Sequence, residues 1–204
     1  MGDVTPLQWD SWAWMALCAI WLILALFARR TKVAEGWLLR LQHVVPLYFG
    51  FFLIFYHRDF GPLAYRLYSN DAVAILGTLL TFFGIAIAIW ARITLGRYWS
   101  GNVMLKEGHR LITAGPYNFV RHPIYTGFIV GAFGTALSAA RIDAFIGFAI
   151  ITVSFLFKLR REEALLTSEF GEEFLRFKKQ IPALMPHIQW GPASKPRLRR
   201  KVSE

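Results

Sequence analysis

The sequence predicts an all-α fold, a polytopic integral membrane protein with about five transmembrane helices. Three observations carry that expectation. The 204 residues are 55% hydrophobic and 16% aromatic but only 18% charged, with a mean hydropathy of +0.40, a balance rare in soluble domains. Several apolar stretches approach the ~20 residues that a bilayer crossing needs. Nearly all the charge, a net +10, lies in clusters between those stretches. A soluble nucleic-acid binder is excluded, and the lipid bilayer is the expected partner.

Met1 to Asp10 is acidic and lacks the basic start of a secretory signal, and no small-x-small cleavage pattern follows Phe27. The first apolar stretch, Trp12–Ala28, is therefore expected to remain as a span. The second, Trp37–Tyr56, contains Arg40 and His43, tolerable if Arg40 snorkels and His43 faces protein. Ala72–Ile93 forms the third. The fourth, Ile124–Ala140, carries Gly127, Gly131 and Gly134, a small-residue face suited to close helix packing. Ile142–Phe157 completes the set. Trp9, Trp12, Trp37, Tyr56 and Trp99 fall near the proposed ends, where aromatic rings favour the membrane interface. Cys18 is the single cysteine, so neither an intrachain disulfide nor a cysteine metal site is expected.

The N-terminus carries −2, segment 29–40 +3, segment 57–71 zero, segment 92–123 +4, segment 141–143 zero and the tail from Lys158 +5. Every second polar segment is positive. The positive-inside tendency then puts 29–40, 92–123 and 158–204 in the cytoplasm and the N-terminus outside. The expected organisation is 1–93 with three membrane spans, 94–188 with two further spans and the longest polar segments, and a basic tail, 189–204. That tail, with Lys195-Pro196-Arg197-Leu198-Arg199-Arg200-Lys201, reads as disordered and drawn to anionic lipid heads.

The informative region runs from Leu95 to Tyr125. Its prolines and glycines forbid one long helix. Pro116 suits the first position of a short helix, and Pro123 pushes His122 out of helical geometry while starting the fourth span itself. Amides at that helix start, next to Arg121 and His122, favour an anionic group; a basic juxtamembrane hinge explains the same residues. After the fifth span, Gly171 can close one helix and Glu172 and Glu173 suit the first turn of the next, so two short cytoplasmic helices are expected. Lys158 and Glu162 share a helix face. As an exposed pair they are worth only about 0.3–0.5 kcal/mol; as a face folded over the Arg121-His122-Pro123 loop they place a carboxylate and cations above a pocket.

Gly115-Pro116-Tyr117, Arg121-His122-Pro123-x-Tyr125-x-Gly127, the Glu162-Glu163 pair, and Phe170-Gly171-Glu172-Glu173-Phe174 followed by Pro182 and Pro186 form a recognisable set. Through them the C-terminal half resembles the isoprenylcysteine carboxyl methyltransferases and their bacterial relatives, in particular a prokaryotic member. These are integral membrane enzymes that use S-adenosylmethionine. The resemblance implies a cytoplasmic cofactor site formed by the loop before the fourth span and the C-terminal helices. It assigns S-adenosyl-L-methionine binding to His109, Arg110, Leu111, Ile112, Tyr117, His122, Pro123, Ile124, Tyr125 and Glu162. In the family a basic residue one turn before that glutamate is linked to the substrate. This implies Lys158, with Arg160 beside it, as the catalytic residues, and a lipophilic small molecule or lipidated peptide as acceptor. No metal is implied.

Methyl transfer from a sulfonium to a carboxylate destroys charge, so a dry pocket at the bilayer edge raises its rate. Two other chemistries share the Arg-His-Pro-x-Tyr element. A phospholipid N-methyltransferase needs an amine acceptor, for which Lys158, Arg160 and Arg161 are unhelpful, whereas an NADPH-dependent sterol or isoprenoid reductase would use those cations for a phosphate. A non-catalytic scaffold leaves the interrupted loop unexplained.

Overall fold

The computed structural model describes residues 5–27, 31–34, 36–56, 61–96, 99, 104–106 and 111–186. Its elements are α1 (Pro6–Ala25), β1 (Thr31–Ala34), α2 (Trp37–Phe55), α3 (Asp71–Leu95), β2 (Met104–Lys106), α4 (Pro123–Ala139), α5 (Ile142–Phe170) and α6 (Glu172–Gln180), with short 3₁₀ turns at Gly61–Ala64 and Gly115–Asn118. Among the described residues, four helices, α1, α2, α3 and α5, are long and apolar enough to cross a membrane. The expected fourth span is α4, apolar but 17 residues long.

The expected boundaries hold for α2, α3 and α4 to within about two residues and shift for α1 and α5. α1 begins at Pro6 rather than Trp12, because Thr5 caps it: the Thr5 amide donates to Gln8 Oε1 at 2.8 Å and Pro6 takes the first helical position. α5 does not stop at Phe157. It runs unbroken to Phe170, 29 residues in all, so the first of the two expected short helices is a continuation of the span. Lys, Arg and Glu are good helix formers, and their charge ends the apolar stretch without ending the helix. Gly171, at φ +50°, makes the break before α6.

The all-α expectation also needs one correction. β1 and β2 pair antiparallel, with Thr31 opposite Lys106, Val33 opposite Leu105 and Ala34 opposite Met104. This ribbon joins the α1–α2 connection to the α3–α4 connection. Both therefore lie at the same end of the bundle, as the charge alternation requires, and strand pairing satisfies backbone groups of both.

Two antiparallel pairs of helices form the body. In α3/α4 the backbones touch through glycine: a Cβ on Gly84 would lie 2.4 Å from the Gly131 nitrogen, and one on Gly127 2.5 Å from the Gly84 oxygen. In α2/α5 Gly147 sits against Gly50 in the same way, at 2.4 Å. Ser154 Oγ donates to the His43 carbonyl at 2.6 Å, and His43 is buried, as its cost in a span demands. α1 lies on α3/α4 through Trp14, whose Nε1 donates to Thr135 Oγ1 at 2.9 Å while its ring covers Gly131. At the end of the bundle away from the ribbon, Arg141 pairs with Asp143 at 2.8 Å and donates to the Tyr56 carbonyl, fixing the α4–α5 turn to α2.

Candidate functional site

At the ribbon end the helices diverge around a cavity of about 540 Å³. α1 contributes Trp21, α2 contributes Arg40, Val44, Leu47 and Tyr48, and the end of α3 contributes Leu95 with Trp99 just beyond. The segment before α4 supplies Leu111, Ile112, Tyr117, Arg121 and His122, and α4 itself Ile124, Tyr125 and Phe128. α5 supplies Phe155, Lys158, Glu162, Leu165 and Leu166, and α6 closes over with Phe174 and Phe177. The volume falls in the range of small-molecule sites.

The sequence-predicted residues mostly converge here. Leu111, Ile112, Tyr117, His122, Ile124, Tyr125, Lys158 and Glu162 all line the cavity, and Pro123 is buried at the first turn of α4. His109 and Arg110 lie outside the described residues. Arg160 does not converge. It is exposed and absent from the lining, because two residues of α-helix turn it about 200° away from Lys158. Arg161 turns instead to α2, donating to the Leu39 carbonyl at 2.7 Å and to Gln42 Oε1.

The two glutamates have different surroundings. Glu162 faces the cavity, its side chain 35% exposed; Tyr125 donates its hydroxyl to Oε2, and His122 Nδ1 lies 3.8 Å from the same oxygen. The Tyr125 ring stacks parallel to the His122 ring at 5.3 Å, and Lys158 Nζ lies over the Tyr125 ring, 5.4 Å from its centroid. Glu163, 7% exposed, turns inward: it receives Arg121 at 2.6 Å, Lys178 Nζ at 2.7 Å and His122 Nε2 at 3.2 Å. Burial opposes ionisation of Glu163, but hydrogen bonds from His122, Lys178 and Arg121 outweigh it and hold the carboxyl at about 2, below its ordinary 4.5. His122 is thus fixed between two carboxylates.

Arg121 is neutralised rather than offered to an anion. Besides Glu163 it donates to the carbonyls of Lys178 and Ile181, and the amides of Arg121 and His122 bond to the Pro182 and Ala183 carbonyls at 2.8 and 3.0 Å. Thr126 Oγ1 adds the Leu184 carbonyl at 2.8 Å. These bonds tie the segment after α6 across the start of α4, which explains the prolines at 182 and 186: the chain there runs extended and accepts without needing to continue a helix. Glu163 and Lys178 were not picked out as a pair by the sequence, since their meeting depends on the α5–α6 turn at Gly171.

Arg92, by sequence one of the charges of segment 92–123, is buried behind the cavity wall. It donates to the carbonyls of Leu24 at 2.5 Å and Gly96 at 2.9 Å, and its guanidinium lies 4.3 Å from the Trp99 ring centroid. The signal for it was an arginine at the end of an apolar run, where a cation needs partners. Tyr117 is buried beside this wall. Burial first, and then the Glu162 charge, push its phenol up, so it stays protonated.

Comparison with known proteins gives consistent results. The model of the isoprenylcysteine carboxyl methyltransferase (ICMT) family matches residues 75–168, from within the first turns of α3 to just short of the end of α5. A probable protein-S-isoprenylcysteine O-methyltransferase of rice (Oryza sativa subsp. indica) is 27% identical over 171 residues, 82% of this chain and 88% of the rice protein. The protein-S-isoprenylcysteine O-methyltransferases of human and Xenopus laevis are 31% and 28% identical. Each of those matches covers 57% of this chain and 42% of the relative, so the matched region spans about two fifths of their length. These relatives are eukaryotic, and the expected prokaryotic affinity finds no support in them.

Proposed function

We propose that the protein is a membrane methyltransferase that transfers a methyl group from S-adenosylmethionine to the carboxylate of a lipophilic acceptor, a prenylated cysteine or analogue. One observation carries this reading: the stretch that matches the family also sets a cation and a carboxylate, Lys158 and Glu162, one turn apart in an apolar-walled cavity. The residues present suit that cofactor. Glu162, oriented by the Tyr125 hydroxyl, would hold its ammonium or ribose hydroxyls, amides in the first turn of α4 its carboxylate, and the Leu165 and Leu166 side its adenine. His109 and Arg110 belong to the same proposed set.

When bound, S-adenosylmethionine supplies an electrophilic methyl group carried by a positively charged sulfur. The chain's own task is to exclude water and to hold an anion in line. Phe128, Phe155, Phe174 and Trp21 give the site apolar walls, which deny both charged reactants the hydration that would stabilise them. Lys158, buried against Tyr125, would position the acceptor carboxylate; correct placement is worth ~7–11 kcal/mol in favourable cases. The acceptor reacts as its anion, so no side chain needs to take a proton. On this reading the ribbon end is cytoplasmic, residues 94–188 are the catalytic region, and the acceptor enters sideways with its tail in the bilayer.

The test is equilibrium dialysis of detergent-solubilised protein with S-adenosylhomocysteine against NADPH, followed by radiolabelled methyl transfer to N-acetyl-S-farnesylcysteine and to phosphatidylethanolamine. Binding of S-adenosylhomocysteine and transfer to the carboxylate are expected. Binding of NADPH alone would point to a reductase, and transfer to the amine alone would replace the carboxyl reading.

A further inference from the structure

α2 presents a cation and an apolar track to the cavity, and it lies outside the stretch that matches the family model. Arg40, Val44, Leu47 and Tyr48 fall at i, i+4, i+7 and i+8, one face of the helix. Their order along the axis is a charged head followed by about 12 Å of apolar wall. Tyr48 lines the cavity while 71% exposed, so the track is open along its outer edge. α1 meets α2 deeper in the bundle, where Trp14 packs on Phe51 with ring centroids 4.9 Å apart.

The position of Arg40 is set by the α2/α5 pairing. Gly50 lies against Gly147 and the His43 carbonyl against Ser154, a register that brings Arg40 level with the Phe157–Lys158 peptide. Arg161 grips the Leu39 carbonyl and Gln42 on either side of it. The Arg40 side chain has no hydrogen bond or ion pair among the described residues, its backbone amide alone donating, to the Gly36 carbonyl at 3.1 Å. The other lining guanidinium, Arg121, is answered by Glu163, and among the described lining residues the one carboxylate is Glu162, which is already bonded to Tyr125. Among the described residues, the outer edge of the cavity therefore has a positive charge with no carboxylate paired to it.

From this we infer that Arg40 is a specificity residue that selects an anionic amphiphile, binding its carboxylate head jointly with Lys158 from the outer edge of the cavity while the tail lies along Val44, Leu47 and Tyr48. This rests on the proposed reaction and names the acceptor class it takes. A guanidinium can bind a carboxylate through two parallel charge-assisted hydrogen bonds, while an ester carbonyl accepts one weaker bond and a protonated amine is repelled.

The experiment measures binding, with no methyl donor present, of N-acetyl-S-farnesylcysteine and of its methyl ester to protein in nanodiscs of neutral lipid. Wild type should prefer the acid by about tenfold or more. Arg40→Gln should lower that preference by about threefold or more, Arg40→Lys should lower it less, and both should bind S-adenosylhomocysteine as wild type does. An acid preference undiminished in Arg40→Gln, or a wild type that does not discriminate, overturns the assignment even if methyl transfer proceeds. A wild type that fails to bind S-adenosylhomocysteine overturns the proposed reaction instead.

Discussion

Glu163 holds Arg121, His122 and Lys178 to one another, so its loss strips a buried guanidinium of its partner. Glu163→Gln should cost roughly 3–5 kcal/mol of stability, whereas Glu162→Gln should leave unfolding nearly unchanged and weaken S-adenosylhomocysteine binding strongly. Thermal unfolding and equilibrium dialysis on both variants check this, and equal losses of binding would sink the division of roles. The folded pKa of Glu163, about 2, lies below its ordinary 4.5, so its contribution is full above about 4.5 and disappears as pH falls through about 2. The stability gap between wild type and Glu163→Gln should therefore close across that acid window. On the cavity face, Lys158→Ala should depress methyl transfer with little change in S-adenosylhomocysteine affinity, Lys158→Arg should retain transfer, and exposed Arg160→Ala should alter neither. If Lys158→Ala turns over normally, that residue leaves the site. Part of this was legible: Lys158 and Glu162 share a helix face in the sequence, whereas Arg160, expected beside them, is turned away by the same helical spacing and Leu165 and Leu166 join the lining without having been expected there. What spacing along one helix does not reveal is a meeting with another element, and so the inward role of Glu163 waited on the position of Lys178.

The helices themselves were legible where apolar runs and turn residues coincide, as at Pro123 for α4 and Gly36 before α2. They were not legible where composition changes within one continuous helix, as at Lys158 in α5. The glycines of α4 were recognised as a packing face, but their counterparts Gly77 and Gly84 on α3 were hidden in a uniformly apolar stretch with no polar face to give direction. The α3/α4 contact leaves no room for even a methyl group. Gly84→Ala should cost at least about 1–3 kcal/mol through forced separation of the two backbones, while Gly36→Ala, with nothing within 4 Å of the new Cβ, should change stability by less than about 0.5 kcal/mol. Thermal unfolding in one detergent compares them directly. Similar shifts for both would show that the glycine contact does not set the helix spacing.

Across the whole molecule, charge and topology make one prediction about sidedness. Residue 69 lies in the connection before α3, at the end away from the ribbon. In a Cys18→Ala background, Ser69→Cys should react with an impermeant thiol reagent from outside the cell, and labelling from the cytoplasmic side alone would invert the topology. The unbroken α5 has a further consequence. Beyond Glu162 the helix continues for eight residues to Phe170, about 12 Å of rise, with α6 folded back beside it. On the proposed reaction, Glu162 and Lys158 lie below the end of α5 in a cavity of about 540 Å³, too small to admit a folded domain. A protein acceptor must reach down by a tether, and about four extended residues cover that depth. Acceptors whose structured part begins closer than that to the modified cysteine should react poorly whatever their sequence, and lengthening the tether with Gly and Ser should restore them. That depth measures the distance of the cysteine from its fold, so unrelated proteins with loose enough ends qualify alike.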